Sequence, residues 1–319
     1  MTLNERADNI YYNFKIKQGE NSIYDFASTS ETRNIPILYK SDEYEMAVAR
    51  FSLPMTAVPI FIWKENYFKI TISFNISIIT KTLQFIPNSS GNDFYGDTIW
   101  NYQEFIDIIN AGLKEAYDDL KIAEPTWTAT EAPFLSFNSS SRLLVWNVEQ
   151  AYGTTAGIYF NKPLFYLMNS FQAFETTIIG EEYYQILSKD NKNNSNTING
   201  KPYYSTKQEY STLFLWNEFK TILFESDSIP VDSEYIMAQQ NDFRKLVTDF
   251  EPLQDESNKN TIQYFPQGPL RWYNLFSDKS LDKMDLKIFW ADDTGKTYPL
   301  YIDEKKVFSM KIYFRKKII

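Results

Sequence analysis

The segment YFKITISFNISIIT, starting at Tyr67, places Phe68, Ile70, Ile72, Phe74, Ile76 and Ile78 at every second position, with Lys69, Thr71, Ser73, Asn75 and Ser77 between them. A helix would scatter these apolar groups around its axis, whereas a pleated strand puts them all on one face. The spacing predicts one strand over 68–78 with a buried and a wet face, the pattern of an antiparallel sheet. Two later segments repeat it: Met284, Leu286, Ile288 and Trp290 share one face, and Phe308, Met310, Ile312 and Phe314 another, with ADDTGKT as a turn between them.

Further strands are expected as a pair within 35–54 that ends at Pro54, as a hairpin about Asn138 to Ser141, in TTIIGEEYYQILS, and along KQEYSTLFLWNEFKTILFES. One segment switches period. From Asn101 to Leu120, Phe105, Ile109, Leu113, Ala116, Tyr117 and Leu120 fall on one helical stripe, with Asn101 placed as N-cap and Glu104 in the capping-box position. A second, short helix is expected to start near Pro163. About nine to eleven strands with few helices indicate a mainly β, antiparallel β-sandwich or jelly roll carrying helical connections. Residues 1–34, polar and poorly periodic, read as an extended N-terminal arm. Residues 35–319 read as one domain with inserted segments, and KDNKNNSNTINGK (189–201) as a surface loop.

The chain of 319 residues contains neither Cys nor His, which excludes serine–histidine and cysteine–histidine nucleophile pairs, thiolate or imidazole zinc sites and redox dithiols. Its net charge of −9 and pI near 4.8 argue against a broad nucleic-acid footprint. The basic cluster Arg315, Lys316 and Lys317 reads as a solvated tail. The first residues carry no apolar h-region, and no apolar run reaches the roughly 18 residues of a membrane span. We therefore expect neither a secretion signal nor a transmembrane segment.

Around LVTDFEPLQDESNKNTIQYFPQGPLRWYNLF, the carboxylates Asp249, Glu251, Asp255 and Glu256 are candidates for paired acid–base chemistry or a Ca²⁺ site, but their spacing fits no EF-hand pattern. Asp292, Asp293 and Gly295 read as a turn. No Gly-rich phosphate loop occurs. We expect no catalytic, cofactor or metal residues, and no enzyme. Aromatics make up 17% of the chain, which raises a carbohydrate-binding β-sandwich as the alternative, with Trp63, Trp100, Trp127, Trp216 and Trp272 as stacking platforms and Trp146 and Trp290 in the core. A two-carboxylate glycosidase would need a pair roughly 5 to 10 Å apart.

The phrases EYEMAVARFSLPMTAVPIFI, YQEFIDIINAGLKEAYDDL, APFLSFNSSSRLLVWNV and IYFNKPLFYLMNSF resemble the minor capsid or penton proteins of small double-stranded DNA viruses, the virophages and Polinton-like viruses. So do EYSTLFLWNEFKTILFESDSIPVDSEY, TDFEPL and IQYFPQGPLRWYNL, and the likeness spans most of 35–319. The resemblance implies a single jelly roll with an extra β-rich insertion, forming homopentamers at the fivefold vertices of an icosahedral capsid beside neighbouring major capsid proteins. It also implies a place in the virion, with assembly inside the infected cell, and no catalytic residues. A strand, an acidic loop and a Pro-bounded aromatic segment fit a lateral contact in such a ring. Arg271, Trp272 and Tyr273 are the expected contact residues, with Asp249 or Glu251 as charge partner.

Overall fold

The computed structural model describes residues 9–17, 26–56, 58–87, 95–152, 156–188, 194–232, 234–236, 242–252, 261–303 and 305–317. The chain divides into two compact units, one of residues 1–58 and 218–319 and the other of residues 59–217. Within the span 35–319, read from the sequence as one domain with inserted segments, the units meet in sequence at 58/59 and 217/218. Composition does not change at those points, because each unit has an apolar core of its own.

The first unit holds eight principal strands: Asn9–Lys17, Ser28–Thr32, Tyr44–Pro54, Thr221–Glu225, Leu246–Phe250, Thr261–Tyr264, Lys283–Ala291 and Val307–Lys316. Counted along the chain, one sheet runs first, eighth, third, sixth, and the other fifth, fourth, seventh, second. All these neighbours are antiparallel. Two four-stranded sheets that exchange the chain in this order form a jelly roll, and the second unit is inserted between its third and fourth strands. The sheets meet through alternating apolar side chains: Phe51 of the third strand lies 5.0 Å from Phe224 of the fourth, which stacks on Phe308 of the eighth at 5.8 Å.

Four expectations for this unit are corrected. Asn9–Lys17, expected within a nonperiodic arm, is the first strand, because Tyr12, Phe14 and Ile16 alternate inward against the eighth strand. Arg315 and Lys316, expected in a tail, end the eighth strand, where Arg315 reaches Glu45 at 2.8 Å. The two alternating segments at 284–290 and 308–314 lie in opposite sheets. The turn after Ala291 instead brings Thr297–Pro299 back onto the seventh strand, with Asp292 accepting the backbone N–H groups of Thr294 and Lys296. Within 35–54 there is one strand, preceded by a 3₁₀ turn at Ser41–Glu43.

In the second unit a five-stranded sheet runs Ala173–Ile178, Glu181–Ile186, Ala156–Asn161, Lys69–Phe74, Ser77–Thr82, and a four-stranded sheet Ser195–Ile198, Lys201–Lys207, Leu143–Glu149, Phe134–Asn138. Trp146 and Phe160, one from each sheet, meet edge to face at 5.6 Å. The helix Tyr102–Ala123 buries the expected stripe, and Asn101 Oδ1 accepts the Glu104 N–H at 2.9 Å while Glu104 accepts the Trp100 N–H at 2.8 Å. The second expected helix is Lys162–Tyr166, capped by Asn161.

Here too the strand expectations need correction. The strand expected over 68–78 is a hairpin that turns at Asn75 and Ile76, with Phe74 opposite Ser77. TTIIGEEYYQILS spans two strands joined at Ile179-Gly180. The expected loop 189–201 contains, from Ser195, a hairpin turning at Asn199-Gly200. In KQEYSTLFLWNEFKTILFES a helical turn, Leu213–Trp216, precedes the Thr221–Glu225 strand. These unread hairpins raise the strand number well above nine to eleven. No helix among the described residues is long and apolar enough to cross a membrane.

Candidate functional site

The most developed surface of the first unit is the outer face and open side of the sheet containing its first and eighth strands. Inward-facing residues take the even positions of Asn9–Lys17, so Tyr11, Asn13 and Lys15 face outward. The register sets Tyr11 opposite Tyr313 and Asn13 opposite Lys311. The Tyr11 and Tyr313 rings stack at 4.6 Å, and the Lys311 ammonium sits 4.4 Å from the Tyr11 ring centre. Trp272 meets Tyr313 edge to face at 5.1 Å and lies beneath the Arg315 guanidinium at 3.7 Å. Cation–ring contacts of this kind hold long basic side chains in place at modest cost.

Beside this face lies the side of the sandwich where the short fifth and sixth strands form the two sheet edges. Asp249 of the fifth strand accepts from Arg271 at 2.6 Å, and the Arg271 guanidinium also stands 4.9 Å from the Tyr273 ring centre. Tyr273 and Asn274 pair with Met46 and Glu45 of the third strand. Three of the five residues singled out from the sequence therefore converge, Asp249, Arg271 and Tyr273, while Trp272 packs separately against Tyr313 and Arg315. Glu251 is exposed beyond the end of its strand, and the carboxylate that meets Arg271 is that of Asp249. Asp255 and Glu256 lie outside the described residues. With 57% and 39% of their side chains exposed, Arg271 and Asp249 form a surface pair that contributes about 0 to 1 kcal/mol to the chain's own stability.

Sequence reasoning missed Tyr11, Lys15, Lys311 and Tyr313. The available signal was the alternation in NIYYNFKIK, which sets Tyr12, Phe14 and Ile16 against Tyr11, Asn13 and Lys15. Of the tryptophans considered as sugar platforms, Trp63, Trp127 and Trp216 are buried, so their faces cannot meet a ligand. Trp146 and Trp290 are fully buried in the cores.

An eight-stranded jelly roll with a β-rich insertion places the chain in a fold class that viral capsid proteins share with lectins and cupins. The comparisons place it more closely. Residues 10–94 and 88–316 match the family described as Sputnik minor capsid protein V18/19, and the chain belongs to that family. It is 28% identical over 154 residues to structural protein V19 of Sputnik virophage, covering 45% of this chain and 67% of the relative. Its fold matches a chain of the cryo-EM structure of the Sputnik virophage with a TM-score of 0.82, at 22% identity, over 98% of this chain and 99% of the other. It matches the crystal structure of the mavirus penton protein with a TM-score of 0.73, at 18% identity, over 97% and 99%. The chain is accordingly a structural capsid protein of the minor-capsid type, as its resemblance to virophage proteins implied.

Proposed function

We propose that the chain is the penton protein of its capsid, five copies closing a ring at each fivefold vertex with major capsid proteins around it, in virions assembled inside the infected cell. The observation that carries this reading is the match to the mavirus penton protein along nearly the whole chain, insertion included. Rings need a heterologous contact, in which one side of a subunit meets a different side of the next. The side bearing Asp249, Arg271, Trp272 and Tyr273 supplies a candidate: short edge strands, half-buried rings and a charge pair that adds little within the chain. In this reading Arg271 and Asp249 take part in contacts across the ring, and Glu251 lies at its rim. The reading also assigns no catalytic step and no cofactor to the chain.

Two experiments test it. Tagged chain co-expressed with a major capsid protein should label assembled particles at the fivefold vertices alone; label on the facets would overturn the vertex assignment. Arg271→Glu should leave the melting temperature of the chain unchanged and weaken self-association roughly tenfold or more, since charged pairs desolvated between subunits count for more than exposed ones. Unaltered sedimentation of that variant would remove this side of the sandwich from the interface.

A further inference from the structure

A groove of about 610 Å³ crosses the outer face of the first unit's sheet, next to the ring stack. Its described lining contains three cations, Lys15, Arg50 and Lys311, a polar floor that includes Asn13 and Ser309, and no Asp or Glu. This is unusual in a chain whose net charge is −9. The three cations come from three adjacent strands. Arg50 stands directly opposite Lys311 in the ladder, and Lys15 stands opposite Ser309, two residues from Lys311 along the eighth strand. Like charges directly opposite across neighbouring strands, about 4.8 Å apart, destabilise a sheet. An anion laid along the groove would relieve that repulsion.

An exposed aromatic residue narrows the choice of anion. Phe265 lines the groove and is 52% exposed, whereas the Tyr11 ring beside it is already engaged by Tyr313 and the Lys311 ammonium. Cations that track a backbone, with open rings beside them, are the means by which proteins hold single-stranded nucleic acid without reading its sequence. A closed duplex would leave the Phe265 ring nothing to stack on, and three cations fall short of the roughly six to ten phosphate contacts of a committed duplex binder. A purely acidic peptide would use the charges and leave the Phe265 ring idle. We propose that this groove binds a short stretch of single-stranded nucleic acid, with Arg50, Lys311 and Lys15 on successive phosphates and Phe265 stacking on a base. The lining shares no residue with the Asp249–Arg271 contact.

The test is fluorescence anisotropy of a labelled oligothymidylate of roughly 20 nucleotides with the full-length protein, across a salt series that starts near 50 mM. Binding should saturate, and the logarithm of the association constant should fall against that of salt with a slope of about −2, as expected for three single-strand phosphate contacts. Replacing Arg50 and Lys311 together by Ala should lower affinity at least tenfold. Phe265→Ala should weaken oligothymidylate roughly tenfold while leaving inorganic polyphosphate binding unchanged. If the double variant fails to fold, Lys15→Gln, at an exposed position of an edge strand, carries the same test with a smaller loss. The proposal is overturned if no binding occurs at the lowest salt, if the cation variants bind as well as the parent, or if polyglutamate displaces the oligonucleotide at matched charge. The last result would make the groove a site for an acidic protein segment.

Discussion

Ile179 occupies the first position of a two-residue hairpin loop with φ at 52°, followed by Gly180 at 82°, and its side chain is 89% exposed. A β-branched residue in the left-handed region sets its Cβ against the following carbonyl, which costs about 1–2 kcal/mol, and here no burial offsets it. Asn at the same place suits both the turn and the solvent. Ile179→Asn should therefore raise the urea midpoint by the equivalent of about 1 kcal/mol with an unchanged m-value. An unchanged or lower midpoint would mean that the loop is not strained. Asp285 is the opposite case, a buried carboxylate with a full set of donors. It accepts from the Ser226 hydroxyl at 2.9 Å and from the backbone N–H groups of Asp227 and Ser228 at 3.0 and 2.8 Å. Burial alone would raise its pKa, yet the hydrogen bonds from Ser228, Asp227 and Ser226 outweigh it and leave the pKa below the ordinary value. A carboxylate depressed in the fold contributes stability above its unfolded pKa of about 3.9 and loses it as pH falls through the lower folded value. Asp285→Asn should cost about 1.5–3 kcal/mol near pH 7, and the gap between variant and parent in denaturant melts should narrow below about pH 4. A gap that stays constant with pH would show that the charge is not what the site stabilises.

Elements were legible where their signal is local. The helix shows both its stripe and its capping box in the sequence, and Asn101→Ala should cost about 1 kcal/mol in chemical unfolding, with no loss marking the cap as redundant. Hairpins were harder, for a physical reason visible at Asn75. A two-residue turn places Phe74 opposite Ser77, so the inward positions change from even to odd on the return strand. The period of two in the sequence runs through the turn unbroken, but Ile76 sits at its tip and Ile78 on the outward face, both exposed. Apolar residues in these places imitate a continuous strand. Elsewhere the signal was present and went unread. Asn199-Gly200 is a strong short hairpin mark, and it lies inside what polar composition presents as a loop.

At the scale of the whole chain, the sandwich class follows from the density of alternating segments, but the strand order does not. In the jelly roll the first strand lies beside the eighth, and the second beside the seventh, pairings that no local pattern encodes. The same holds for the insertion of 59–217, whose boundaries fall at ordinary residues because each unit closes its own core. The candidate contact side was partly legible, since Pro266, Gly268 and Pro269 mark an irregular segment just ahead of Arg271, Trp272 and Tyr273. Its counterparts Tyr313 and Arg315 come from the far end of the chain and become neighbours only through the fold. Family membership and fold make this a minor capsid protein, and the central claim beyond them is that five copies close a ring. The most direct test is the native mass of the purified chain by light scattering during size exclusion. The account predicts a species of five times the 37.6 kDa chain; a trimer, or a monomer that persists at high protein concentration, would contradict it.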